Sequence, residues 1–160
     1  MAKRARISYG SGKSRRPIDK KLVNVNMAPS NNQLNQGLFT ASGACTLTGL
    51  RWSFAINADG ATALADSFRW ALVILPDGIS TPSTMAYTAT SSFYEPEQHV
   101  LAFGAFPADA SNTNNSRVIE GSTKAMRKMR DGDQLVCIAG TDSSAGAYYI
   151  DGVVQLFCMQ

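Results

Sequence analysis

The sequence predicts an all-β domain behind a basic, disordered N-terminal arm. Three observations predict it. Apolar residues in the body of the chain recur every second position, with no convincing helical period. Clusters of Gly, Pro, Asn, Asp and Ser separate these runs at short intervals. Lysine and arginine are concentrated before residue 22. At 160 residues the chain is long enough for one compact domain and a tail, and too short for two ordinary domains.

The arm comes first. Residues 1–21 contain Lys3, Arg4, Arg6, Lys13, Arg15, Arg16, Lys20 and Lys21 against Asp19 alone, a net charge of +7. Residues 22–160 hold seven basic and eleven acidic residues, a net of −4. The front segment has few large apolar residues and no strand or helix period, so it cannot bury enough apolar surface to offset its chain entropy. Disorder over 1–21 until an anion binds, with the folded domain over 22–160, is the expectation.

The strand pattern follows. Leu22, Val23 and Val25 open a first candidate. Cys45 and Leu47 alternate with polar neighbours, and after Gly49 the phase shifts to Leu50, Trp52, Phe54 and Ile56, which predicts a bulge or bend at the glycine. Phe68, Trp70, Leu72 and Ile74 alternate again while Ala71, Val73 and Leu75 fill the other face, so this strand is expected to be buried on both sides. Pro76-Asp77-Gly78 ends it with turn chemistry. A short apolar run covers 100–106, a mixed basic and methionine segment covers 124–130, Asp131-Gly132-Asp133 makes a turn, and 135–139 is apolar. Residues 148–159, interrupted by Asp151-Gly152, read as one or two closing strands. Long loops are expected near 26–40, 57–66, 77–92 and 107–120, and the Ala-rich 58–66 has room for a turn or two of helix. About eight short strands with long polar connections suit an antiparallel sandwich or jelly roll better than an alternating α/β fold.

The arm also carries the clearest chemistry. Each lysine or arginine laid against a phosphate backbone displaces condensed counterions, so about seven such charges on a flexible chain give strong, salt-dependent, sequence-independent binding. Lys13-Ser14-Arg15-Arg16 and Lys20-Lys21 also satisfy the pattern of a nuclear localisation signal. A second basic group, Lys124, Arg127, Lys128 and Arg130, is a candidate contact to nucleic acid from the folded domain, with a solvated strand face as the plain alternative. On a strand, Lys124, Lys128 and Arg130 share one face with Met126, and Arg127 shares the other with Ala125 and Met129.

Enzymatic chemistry is poorly served. The single histidine, His99, cannot build a multi-histidine metal site, and HxH, HExxH, CxxC and GxSxG patterns are missing. Gly12-Lys13-Ser14 imitates the end of a phosphate-binding loop, but Ile7 stands where that loop needs a glycine. The pairs Asp131/Asp133 and Glu95/Glu97 are explained by turns. Cys45, Cys137 and Cys158 are scattered and odd in number, which favours buried thiols over disulfides or zinc. No run approaches the roughly 20 apolar residues of a membrane span. The expectation is a non-enzymatic protein with no cofactor, no metal and no membrane contact. Charged residues make up only 17% of the chain, against about 25% in an average domain, which suggests a surface largely covered by neighbours.

A lysine- and arginine-rich start, Leu50-Arg51-Trp52-Ser53-Phe54, Trp70-Ala71-Leu72-Val73-Ile74-Leu75-Pro76-Asp77-Gly78, Glu95-Pro96-Glu97-Gln98-His99-Val100-Leu101, Arg127-Lys128-Met129-Arg130-Asp131-Gly132-Asp133-Gln134-Leu135-Val136 and Gly152-Val153-Val154-Gln155-Leu156-Phe157 follow one another in this order. Together they resemble the capsid proteins of small circular single-stranded DNA viruses that encode a replication initiator. The compact form of these is itself similar to the coat protein of satellite tobacco necrosis virus. The resemblance implies a single eight-stranded jelly roll, about 60 copies in a T=1 icosahedral shell, and the arm inside against a single-stranded DNA genome. Its partners would be other copies of itself, the genome and host import machinery, and its places the virion and, during assembly, the host nucleus. The chain is shorter than most of that group and its arm has fewer arginines, so an RNA genome fits the same plan.

Two other classes compete. A non-viral single-stranded nucleic-acid-binding protein with an OB barrel and a basic tail would bind through its β domain after loss of the arm. A trimeric jelly-roll receptor ligand or lectin would have no use for the basic arm.

Overall fold

The structure, a computed structural model, describes residues 18–30, 33–58, 68–79, 99–106, 116–141 and 148–159. Among them the alternating pattern resolves into eight strands: β1 (Ile18–Ser30), β2 (Gln33–Thr40), β3 (Cys45–Ala58), β4 (Phe68–Leu75), β5 (His99–Phe106), β6 (Ser116–Met129), β7 (Gln134–Thr141) and β8 (Tyr148–Met159). They form two four-stranded sheets in the orders β1-β8-β3-β6 and β2-β7-β4-β5, and every pairing is antiparallel. Every connection except β4 to β5 passes from one sheet to the other. That winding is the jelly roll, and it decides between the two architectures the sequence left open. It also differs from the five-stranded barrel of an OB fold.

Period-two alternation places Leu50, Phe54 and Ile56 of β3 and Val154 and Leu156 of β8 against Phe68, Leu72 and Ile74 of β4 and Leu135 and Cys137 of β7, all buried. β4 is buried on both faces as expected: Ala71, Val73 and Leu75 join Val136 and Ile138 in a second apolar cluster on the far side of the sheet. The predicted phase change at Gly49 is a register shift between Leu47 and Gly49 in both ladders of β3. β8 runs unbroken through Asp151-Gly152.

Three expectations are corrected. The segment 26–40 is mostly strand rather than loop, because Gln33–Thr40 pairs with β7 despite its Asn and Gln content. β6 begins at Ser116, inside the expected loop 107–120. β1 begins at Ile18 rather than Leu22, since Ile18, Asp19, Lys20 and Lys21 continue the ladder against Met159, Cys158, Phe157 and Leu156. A complete run of partners on β8 outweighs the poor β propensity of a charged segment. The helical turn considered for 58–66 lies outside the described residues apart from Ala58, which ends β3.

At the centre of the sandwich Trp52 and Trp70 meet with ring centroids 5.5 Å apart and planes tilted by 60°. Phe54 approaches Trp70 edge-on at 5.3 Å. Each indole lies over a glycine on an adjacent edge strand. Gly121 of β6 pairs with Trp52, and a Cβ there would stand 2.4 Å from the ring. Gly104 of β5 pairs with Trp70, and a Cβ there would also meet the ring at 2.4 Å. The sides of the sandwich are closed by contacts between sheets. The Gln36 amide of β2 accepts from the Asn26 N–H at 2.8 Å and donates to the Asn24 carbonyl at 3.1 Å, capping the free edge of β1. Lys21 sits over the Phe39 ring at 4.5 Å, and on the opposite side Arg117 lies 5.2 Å from the Phe106 ring.

Cys137 and Cys158 are buried, Cys45 is half-buried, and all three are free thiols. Burial pushes the Cys137 thiol up from 9.0 to about 12.

Gly104→Ala and Gly121→Ala are each expected to destabilise the fold by about 2–3 kcal/mol, because a rigid indole blocks the new methyl. Thermal unfolding reads this as a fall of roughly 5–10 °C in Tm. Because the folded-state pKa of Cys137 lies above the unfolded value, its contribution is intact below pH 9.0 and is lost as pH rises toward about 12, since the unfolded chain releases the proton first. Urea unfolding across that window should show declining stability, with a shallower decline in Cys137→Ala.

Candidate nucleic-acid interface

The sheet β1-β8-β3-β6 turns one face to the core and the other away from it, and its register aligns outward residues in rows across all four strands. Beginning at the end where residues 1–17 join Ile18, the first row is Ile18, Met159, Thr46 and Lys128, and the second is Lys20, Phe157, Gly49 and Lys124. The third is Leu22, Gln155, Arg51 and Ser122. Beyond these come Asn24, Val153, Ser53 and Glu120, then Asn26, Asp151, Ala55 and Val118.

The face is therefore polarised along its strands. The first three rows hold four cations (Lys20, Arg51, Lys124 and Lys128) and no carboxylate, whereas the next two hold Glu120 and Asp151 and no cation. Adjacent strands lie about 4.8 Å apart, so Lys20 and Lys124 are anchored roughly 14 Å apart on one row. Like charges gathered without intervening acids raise the local potential and favour an anionic partner. Within the patch the Arg51 guanidinium lies 5.6 Å from the centre of the Phe157 ring. Beside them Ile18, Thr48, Gly49, Ser122, Thr123 and Lys124 help line an open depression of about 250 Å³.

The residues singled out in the sequence divide into groups. Lys3, Arg4, Arg6, Lys13, Arg15 and Arg16 lie outside the described residues. Lys20 is on the outer face of β1 and Lys21 on the opposite side, over Phe39, so these two stand in the sheet rather than in an arm. Lys124 and Lys128 are exposed on the outer face of β6 with Met126, and Arg127 takes the other side with Ala125 and the buried Met129, as alternation required. Arg130 does not share their face: it falls one residue past the end of β6, in the turn to β7. Arg51 and Phe157 escaped sequence reasoning as site residues, because Arg51 is the single charge of β3 and Phe157 sits between the apolar Leu156 and Cys158 in β8. Only the cross-strand register puts them beside Lys20 and Lys124.

The turn after β6 is fixed by Asp133, which is 9% exposed. Its carboxylate accepts the Arg130 N–H at 2.7 Å and the Asp77 N–H at 3.2 Å. Its carbonyl accepts from Ala41 at 2.9 Å. The neighbouring Asp131 carboxylate accepts the Gly43 N–H at 2.7 Å. One hairpin thus ties the end of β6 to the turns after β2 and β4, and both aspartates are spent on backbone donors. Among the described residues no group of three or more His, Cys, Asp or Glu side chains is placed to hold a metal ion, and no helix is long and apolar enough to cross a membrane.

No family model matches the chain, and no curated protein matches it. Among solved structures it is similar to Eiger TNF from S. frugiperda, at 10% identity over 87% of this chain and 85% of that one, with a TM-score of 0.40. It is similar to the capsid protein of a BFDV 60-mer at 7% identity over 92% and 95% of the two chains, with a TM-score of 0.38. It is also similar to VP2 of the infectious bursal disease virus subviral particle at 9% identity, over 90% of this chain but 33% of that one, with a TM-score of 0.39. All three likenesses are distant.

Asp133→Ala leaves two backbone donors without their charged acceptor and is expected to cost about 3 kcal/mol. Thermal melting should register a drop of roughly 6–12 °C, with a smaller drop for Asp131→Ala.

Proposed function

We propose that this chain is a coat-forming protein that assembles through the sides of its jelly roll into a small icosahedral shell of about 60 copies. In that shell it packages a single-stranded genome, DNA in the first instance. The observation that carries the reading is the polarised outer face: its cationic rows lie at the end where β1 begins, and the basic segment 1–17 is the stretch of sequence that leads into that end. The segment 1–17 supplies six basic residues and no acid, and the face adds Lys20, Arg51, Lys124 and Lys128. With about ten such charges per subunit, about 60 subunits bring on the order of 600 positive charges to one enclosed space, enough to offset a large part of a short genome.

Association is supported by the edges of the sandwich. β1 and β6 are the outer strands of one sheet, β2 and β5 of the other. Apolar side chains stand exposed on both sides: Ile18 and Leu22 on β1, Phe103 on β5, and Val118 and Met126 on β6. Long edge strands with exposed apolar residues pair or aggregate unless neighbours cover them. Repeated contacts between unlike patches either close into a symmetric shell or run on into filaments. The jelly-roll winding removes the OB-barrel alternative. In this reading the protein is a structural one, found in the virion and, while shells form, in the host nucleus, which host import machinery reaches through the lysine and arginine clusters of the arm.

Negative-stain microscopy of the purified full chain, with nuclease digestion of whatever copurifies, tests this. Uniform small shells protecting single-stranded nucleic acid are expected. A small soluble oligomer at physiological salt would overturn the proposal.

A further inference from the structure

The geometry points to the Gly49 depression as a subsite for one unpaired nucleotide of a single-stranded nucleic acid, with its base stacked on the Arg51–Phe157 pair and its flanking phosphates held by Lys20 and Lys124. This deepens the packaging reading and rests on it. The argument begins with a row that no stretch of sequence announces: Lys20, Phe157, Gly49 and Lys124 stand side by side across four strands, with Arg51 one row further along.

Phe157 faces away from the core, outside the buried clusters between and behind the sheets, so interior packing does not explain an aromatic ring there. Its partner is a cation, Arg51, 5.6 Å away. A guanidinium over an aromatic ring makes a flat, polarisable platform of the kind on which nucleobases stack. Gly49 stands beside the ring in the same row. A Cβ there would stand 3.9 Å from Phe157 Cδ2 and 3.1 Å from the Thr123 carbonyl oxygen, so any larger residue would fill the floor of the depression. At about 250 Å³ the space is below the roughly 300–1,000 Å³ of sites that enclose a whole drug-sized ligand, and it is open to a chain passing over it.

The chemistry then selects the ligand. Lys20 and Lys124 at the two ends of the row offer point charges to phosphates on either side of a stacked base. No carboxylate lines the depression among the described residues. The Thr48 hydroxyl is already donated to the Phe157 carbonyl at 2.9 Å, and the hydroxyls of Ser122 and Thr123 in the lining can each donate or accept, so the subsite is tolerant of sequence. Stacking needs a free base face, which a duplex hides within its own stack. The subsite therefore favours single strands over duplex, a preference that diffuse charge in the arm cannot supply.

The test uses the full chain below the concentrations at which particles form, with fluorescence anisotropy of an oligothymidylate of about 16 nucleotides across about 50 to 200 mM salt. An oligouridylate of equal length compares ribose with deoxyribose strands, and a duplex of equal length is the control. Phe157→Leu, which keeps the apolar bulk, should weaken single-strand binding about tenfold while leaving the slope of log K against log salt and the duplex affinity unchanged. Lys20→Gln and Lys124→Gln should each flatten that slope by about 0.7. Arg51→Lys, which keeps the charge and loses the plane, should reproduce the Phe157→Leu loss and serves as the second variant if Phe157→Leu melts below wild type. Wild-type affinity and an unchanged single-strand preference in Arg51→Lys and in folded Phe157→Leu would overturn the subsite. If wild-type protein forms no shells yet shows a single-strand preference that depends on Phe157, the packaging reading fails and the subsite stands.

Discussion

The two indoles that meet between the sheets set the spacing and alignment of everything else. Trp52 belongs to one sheet and Trp70 to the other, and their rings meet across the space between the sheets. Each needs a neighbouring strand that comes close without a side chain, and Gly121 and Gly104 provide it on the two edge strands β6 and β5. The buried Trp70 side chain removes on the order of 200 Å² from water, worth roughly 5 kcal/mol at about 25 cal/mol per Å². Placing that area at the middle of both sheets fixes which residue of β3 faces which residue of β6. A slip by one position would set Trp52 against a side chain instead of Gly121 and would turn the whole outward set of β6 toward the core.

That same register builds the basic face. Because Trp52 is locked to Gly121, Arg51 is held beside Ser122 and Gly49 beside Lys124, while β8 brings Phe157 to Gly49 from the other side. Residues from positions 20, 49, 51, 124 and 157 become neighbours through core packing on the opposite face of the same sheet. The bulge at Gly49 matters here. The shift between Leu47 and Gly49 moves β3 from one phase to the other, so that Leu47 and Leu50 both reach the core while Gly49 opens the outer surface.

Much of the fold was legible because burial leaves a period-two trace. The phase change at Gly49, the two-faced burial of β4 and the turn at 131–133 could all be read from apolar spacing and turn residues alone. β2 could not. Its Asn35, Gln36 and Gly37 carry no strand signal, and its structure comes from β7, a partner about a hundred residues away. The start of β1 was misplaced for a related reason: Asp19, Lys20 and Lys21 look like arm until β8 supplies partners for them. The basic group on β6 was visible as a local cluster. Arg51 and Phe157 were invisible, since a site assembled across strands leaves no pattern along any one of them.

The way β1 is secured has a mechanical consequence. The basic segment is joined at Ile18, and from there β1 lies along β8 through Met27 in an unbroken antiparallel register, with Gln36 gripping Asn24 and Asn26 from the second sheet. Tension along that segment, directed along the strand, loads all of these bonds in shear at once instead of opening them one after another. The domain is thus fastened to whatever precedes Ile18 the way a lap joint is fastened, strongest against a pull along the strand.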